Sequence, residues 1–263
     1  MKIAIIGAGN MGGALVRGFA KCNKIKKEDI TVSDPNSAKL HALKADFPQI
    51  NIENDNNKAI QQADVVMLVV KPWLVENVVN EIKHNLDYGR QAVVCVAGGV
   101  DTSAVLSFLK RSDNKLPAVY HAIPNIAAAE NVGMTFITGA GSTPKIDSTI
   151  LSLFQNVGDV MFVEERLMNA AMALSSCGIA YALRYIRAAT EGGVELGLFP
   201  GDAQRIVMQT LKGAVALLEA GTSHPEQEID KVTTPGGFTI RGLNAMEEAG
   251  FTTSVIKGLK ASV

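Results

Sequence analysis

Apolar positions in the first part of the chain fall in short, nearly unbroken runs, whereas toward the end they recur at helical spacing. Residues 2–6, 30–34, 64–70, 92–96 and 118–123 are β-branched or aliphatic runs of the length a strand buried on both faces requires. Weaker strand patterns lie at residues 50–53, 134–138 and 159–163. Between them, residues 14–21, 36–47, 73–86, 102–110 and 145–154 read as helices. Strands alternating with helices imply a parallel sheet covered on both sides. The pattern therefore predicts an α/β Rossmann fold, doubly wound and mostly parallel, with about eight strands.

Strand signals stop at residue 164. Residues 166–198 are helical in pattern, with Arg184, Arg187, Glu191 and Glu195 forming a charged stripe and residues 168–183 too apolar to face water. A second helix spans 202–219, and shorter ones follow after His224-Pro225, after Pro235 and over 253–261. The boundary is expected near Val163, giving a dinucleotide-binding domain at 1–163 and an all-α domain at 164–263. So small a helical half cannot bury its first helix alone, so a homodimer sharing these helices is expected.

The bulk numbers narrow the class. At 263 residues the chain suits one large domain or two modest ones, taking about 150 residues per domain. A net charge of −1, with no dense Lys/Arg tract, argues against a nucleic-acid partner. The longest uncharged segment falls short of a membrane span. Cys22, Cys95 and Cys177 are an odd set without metal-ligand spacing, so neither a disulfide framework nor a metal site is expected, and a reducing cytoplasm fits.

Two stretches carry candidate chemistry. The first, Gly7-Ala8-Gly9-Asn10-Met11-Gly12, sits between the first strand and first helix, the context in which Gly-x-Gly-x-x-Gly binds a dinucleotide pyrophosphate. Asp34 closes the second strand, where a carboxylate can hold the adenosine ribose; its competing role is to cap the next helix. Lys71-Pro72 ends the 64–70 run at the carboxyl edge of the sheet, where open α/β sheets bind ligands. The second stretch runs from Asp230 to Phe251. Thr234 reads as a helix N-cap with Pro235 at the first helical position, placing Gly236 and Gly237 in the first turn, where bare amides receive an anion.

These motifs, together with Ile123-Pro124-Asn125 and Ser176-Cys177-Gly178-Ile179-Ala180-Tyr181, resemble the pyrroline-5-carboxylate reductase family over essentially the whole chain. The Asp230 to Ile240 motif is the most specific. The resemblance implies a Rossmann domain followed by a helical dimerisation domain, in a family whose dimers often assemble further into decamers. It implies reduction of Δ1-pyrroline-5-carboxylate to L-proline by NADPH or NADH, the last step of proline synthesis. By position, the cofactor would contact Gly7, Ala8, Gly9, Asn10, Met11, Gly12, Asn56, Val70, Lys71, Pro72, Ala97 and Gly98. The substrate carboxylate would sit on Gly236, Gly237 and Thr239, with Asn125, Thr234 and Phe238 nearby. The chain departs from the family at His121 (usually arginine), Ile126-Ala127 (usually Thr-Pro), Ile179 (usually proline) and Phe238 (usually small or threonine).

Imine reduction needs a hydride donor, a proton near the ring nitrogen and a fixed carboxylate, but no strong base. Thr239 is the candidate proton donor or orienter, acting through water. A β-hydroxyacid dehydrogenase has the same layout but needs a base on its first long helix, and no His or Lys lies between Arg166 and Leu211. A non-catalytic dinucleotide sensor would have no use for the Thr-Pro-Gly-Gly segment.

Overall fold

The apolar runs become the strands of one sheet. The computed structural model describes residues 1–263 and contains β1 (Ile3–Ile6), β2 (Ile30–Ser33), β3 (Asn51–Glu53), β4 (Val65–Leu68), β5 (Ala92–Cys95), β6 (Val119–Pro124), β7 (Gly133–Ala140) and β8 (Gly158–Phe162). They form an eight-stranded sheet in the order 3-2-1-4-5-6-7-8. Only the β6–β7 pair is antiparallel. The direction of sheet growth reverses between β1 and β4, and a crevice at the carboxyl ends of such a pair is the usual ligand position.

Crossover helices cover both faces. On one, α1 (Asn10–Lys21) and α2 (Ser37–Asp46) contribute Leu15, Phe19, Leu40 and Leu43 to a core that also takes Tyr120 and Phe154. On the other, α3 (Asn56–Ile60), α4 (Val75–Ile82) and α5 (Thr102–Leu109) bury Ile60, Val75, Val79, Val105 and Leu109 against Val66, Leu68 and Val93. Helix α6 (Pro144–Phe154) returns to the first face, where Phe154 meets Phe19 edge-on at 6.4 Å between ring centroids. Each side chain of β4 is buried, which explains why its sequence never alternates.

Strand β8 ends at Phe162, which lies opposite Ile137, itself paired with Ala122. The chain therefore leaves the sheet level with the middle of β6 and turns along it. Glu165 accepts from the Thr102 amide (2.8 Å) and hydroxyl (3.1 Å). Farther on, Ser175 Oγ accepts from Asn125 Nδ2 (3.3 Å) and Ser176 Oγ donates to the Pro124 carbonyl (3.1 Å). Helix α7 (Met168–Met172) lies within this segment and runs into a π-helical turn, Ala173–Cys177. The continuous helix expected over 166–198 is thus interrupted, because the side chains of this segment are tied to strand ends on one side.

Compact packing divides the chain into Met1–Ser176 and Cys177–Val263. The second unit consists of α8 (Gly178–Glu195), α9 (Pro200–Ala220), α10 (Pro225–Val232), α11 (Phe238–Glu248) and α12 (Phe251–Lys260). Helices α8 and α9 approach closely at Gly193, where a Cβ would stand 2.9 Å from that of Ala203. Tyr181 Oη donates to the Gly258 carbonyl at 3.2 Å, tying α8 to the last helix. Within this unit only Thr190 and Ala203 are buried. The buried helix expected at 168–183 is buried at Met168, Ala171 and Ala173 but exposes Leu174 and Leu183. No helix is long and apolar enough to cross a membrane.

Candidate active site

The glycine-rich loop is shaped by three different constraints. Gly7 has φ +110°, and a Cβ there would come 2.3 Å from the Val69 carbonyl oxygen, so no other residue fits between β1 and the end of β4. A Cβ on Gly12 would lie 1.9 Å from the Gly7 carbonyl oxygen, where the first turn of α1 crosses the loop. A Cβ on Gly9 would meet nothing within 4 Å; its bare face is turned to open space. That space is a cleft of about 950 Å³ lined by Gly7, Gly9, Asn10 and Met11 on one side and by Val70, Lys71, Pro72, Ala97 and Gly98 on another. The N-terminus of α1 opens beside it, with no side chain capping its amides. An open helix start, a backbone cradle and a volume of this size fit a dinucleotide pyrophosphate.

Asp34 lines the same cleft but is already engaged. One carboxylate oxygen accepts from the Ala8 amide (2.8 Å), the other from the Asn36 amide (2.8 Å), and Lys39 Nζ lies 3.7 Å away. The helix cap assigned to Asp34 as its competing role is instead Asn36, whose Oδ1 accepts from the Ala38 amide. Asn54 and Glu81 complete this corner with Asn56. Ser33 Oγ donates to Asn56 Oδ1 (2.7 Å), and Asn56 Nδ2 donates to Glu81 (3.0 Å), fixing the amide between β2 and α4. Ser33, Lys39 and Glu81 were not singled out from sequence. Lys39 and Glu81 sit on helices as ordinary surface charges would, and only the fold brings them to the crevice. Ala8 and Gly12 support the loop from behind and do not line the cleft. Trp73 follows Pro72 at the rim and is 73% exposed.

The Thr-Pro-Gly-Gly segment differs from its expected form. The Gly237 amide donates to the Thr234 carbonyl at 2.9 Å. Gly236, the third residue of that turn, has φ +69°. This is a type II turn, with Pro235 and Gly236 at its two central positions. The helix then starts at Phe238 with Gly237 as N-cap. The expected N-cap at Thr234, and the placing of Gly236 and Gly237 in the first turn, are corrected: proline suits both a first helical position and the second position of a turn, and a left-handed glycine after it selects the turn. The Gly237 amide is consequently spent inside the turn. The amides without intrahelical partners belong to Phe238, Thr239 and Ile240. Phe238 is 88% exposed, with the Arg241 guanidinium 4.9 Å above its ring.

Asn125, at the carboxyl end of β6, is buried, and its Oδ1 accepts from the Ala127 amide (3.2 Å) while its Nδ2 donates to Ser175. His121, four residues earlier, is 4% exposed. Neither of its ring nitrogens has a hydrogen-bond partner. Burial pushes its pKa below the ordinary value, against the opposing pull of Glu165, the Ala97 backbone and Asp101. Cys95, beside it on β5, has its thiol pushed up to about 11 by burial.

Comparison with known proteins covers the whole chain. Residues 165–263 match the family model for pyrroline-5-carboxylate reductase dimerisation, and residues 2–98 match that for NADP oxidoreductase, coenzyme F420-dependent. Pyrroline-5-carboxylate reductase 2 of Dictyostelium discoideum is 35% identical over 99% of this chain and 90% of its own length. For pyrroline-5-carboxylate reductase 1 of the same organism the identity is 33%, and the chain spans 48% of that protein's length. The crystal structure of Plasmodium falciparum pyrroline carboxylate reductase with NADP bound superposes with a TM-score of 0.89 at 25% identity, covering 100% of this chain and 95% of that one.

Proposed function

The chain belongs to the pyrroline-5-carboxylate reductase family, and from that premise we propose that it reduces the C=N bond of Δ1-pyrroline-5-carboxylate to L-proline, the last step of proline biosynthesis. Residues 1–163 act as the dinucleotide-binding domain and 164–263 as the dimerisation and substrate-binding domain, a division supported by the family match that begins at residue 165.

The bound dinucleotide supplies a hydride to C5 of the ring. Gly7, Gly9, Asn10 and Met11 receive its pyrophosphate, with Ala8 and Gly12 holding the loop in shape. Asp34 and Asn56 stand at the ribose corner, and Val70, Lys71, Pro72, Ala97 and Gly98 line the remaining wall. Lys39 beside Asp34 offsets the carboxylate charge, so this corner accepts NADPH as well as NADH.

The substrate carboxylate docks at the start of α11, on the amides of Phe238 and Thr239, with Gly236, Gly237 and Thr234 forming the turn that presents them. The single observation that carries this reading is that turn, which stops short of the helix and leaves an open helix start as an anion site. Thr239 orients the ring nitrogen or relays a proton to it through water, and Phe238 beside it narrows the space at that helix start; Asn125 is assigned to substrate binding by the resemblance of Ile123-Pro124-Asn125 to the family.

The enzyme works as a homodimer through its helical domain, a reading supported by the apolar side chains exposed on α8 and α9 and by the dimerisation family match. Dimers assemble further into decamers by family habit, and three unpaired cysteines suit the cytoplasm. Steady-state reduction of pyrroline-5-carboxylate with NADPH and with NADH tests the activity: turnover with at least one is expected, and none with either overturns it. Light scattering distinguishes dimer from decamer.

A further inference from the structure

A buried imidazole without a hydrogen bond is costly, because a neutral ring carries one donor and one acceptor and each loses its water on burial. His121 is such a ring. It shares its sheet face with Val119, two residues earlier on β6, and so points to the side on which α5 packs. Three elements close around it. Cys95 is its register partner on β5. Asp101 caps α5 through the Ala104 amide at 2.7 Å. Glu165, in the chain that returns along β6, holds the first residue of α5 by both the amide and the hydroxyl of Thr102. The charged groups acting on the ring are therefore two carboxylates, Glu165 and Asp101, and the Ala97 backbone acts with them.

Loop 97–102 connects these groups to the cofactor cleft. Ala97 and Gly98 line that cleft, at one end of the loop, and Thr102 is fastened to Glu165 at the other. A protonated imidazole has two N–H donors and no acceptor, and the groups that act on this ring, Glu165, Asp101 and the Ala97 backbone, can all accept. We propose that His121 is a positioning residue for the dinucleotide: in the cofactor-bound protein its ring takes a proton from solvent and donates to Glu165 and to the Ala97 carbonyl, locking loop 97–102 in the shape that receives the cofactor. The proposal rests on assigning the cleft to the dinucleotide. It requires no change in the chemical step, since the ring is buried and does not line the cleft.

Linkage makes this measurable. If binding favours the protonated ring, binding takes up protons, and protons tighten binding by the same factor. NADH is the suitable probe, because it lacks the 2′-phosphate that would itself titrate near pH 6. Calorimetric titration of the full-length protein with NADH at pH 6, in two buffers of different ionisation enthalpy, should show proton uptake. The NADH Kd should weaken about three- to tenfold from pH 5.5 to pH 8, about 0.6–1.4 kcal/mol. In His121→Gln, which bonds but does not titrate, uptake should vanish and the profile flatten. In His121→Arg, which stays charged, binding should be tight and pH-independent. Wild-type binding without proton uptake overturns the proposal, as does uptake retained in His121→Gln. If His121→Gln fails to fold, His121→Arg carries the same test, and uptake retained in it overturns the proposal. Absence of any NADH binding would instead count against the cleft assignment.

Discussion

The two units solve the problem of burying apolar surface in opposite ways. In Met1–Ser176 the sheet carries core on both faces, and every side chain of β1, β4, β5 and β6 is buried within the chain itself. In Cys177–Val263, by contrast, Leu183 is 56% exposed and Leu217 55% on the helices, and Leu196 is 87% and Phe199 80% exposed where α8 and α9 join. Monomeric proteins rarely leave so much apolar surface uncovered. The first unit is finished by its own sequence, while the second is half of a structure whose other half must come from elsewhere. The sites proposed for them follow the same division: the sheet unit has a preformed cleft at its glycine-rich loop, and the helical unit has the uncapped start of α11 behind a type II turn.

The contrast can be broken most severely at the helical surface. Leu183→Asp combined with Val215→Asp should leave the sheet unit folded but yield monomers, each charge forfeiting about 1.5–3 kcal/mol of burial on either subunit. Light scattering and an activity assay check this, and an unchanged dimer would show those faces to be ordinary solvent surface. In the finished unit the largest effect is expected from Gly12→Ala, whose methyl would collide with the Gly7 carbonyl. Overpacking of this kind costs about 1–3 kcal/mol, and calorimetry should find dinucleotide binding lost while the oligomer survives.

A smaller effect separates the two threonines of the helical unit. Thr239→Ala should lower kcat about a hundredfold or more, the lower end of the range for loss of a proton-relaying group, and Thr234→Ala should lower it less. Equal kcat for both variants and wild type would remove Thr239 from the mechanism. The smallest effect concerns pH. The pKa of His121 is lowered by burial in the folded protein, so the native state prefers the neutral ring. The stability tied to that preference is complete above the ordinary value of 6.5 and is lost as pH falls from there through the folded pKa. Without cofactor, the Tm of His121→Leu should therefore fall less on acidification than that of wild type.

The inner strands β1, β4, β5 and β6 were legible because they are apolar runs buried on both faces, whereas β3, β7 and β8 are only partly buried and gave weaker patterns. Gly7 and Gly12 could be read because backbone crowding leaves no alternative residue. What sequence left ambiguous involved local choices of nearly equal energy. Thr234-Pro235 suits a helix start and a turn alike, and only the positive φ of Gly236 decides between them. The π-turn at Ala173–Cys177 has no pattern of its own, since it depends on Ser175 and Ser176 meeting strand ends distant in sequence. Asp34 is legible as the acid that closes the second strand, but its bond to Ala8 depends on two loops meeting in space. The empty hydrogen-bonding positions of His121 were equally invisible, because burial without a partner is a property of the packed state.

Trp73 is the chain's single tryptophan and stands at the rim between Pro72 and Leu74, both of which line the cleft proposed for the dinucleotide. Its emission overlaps the absorption of reduced nicotinamide. The protein therefore carries its own optical gauge: any quenching or energy transfer seen on adding a dinucleotide arises from one indole at one known place, with no label and no background from a second site.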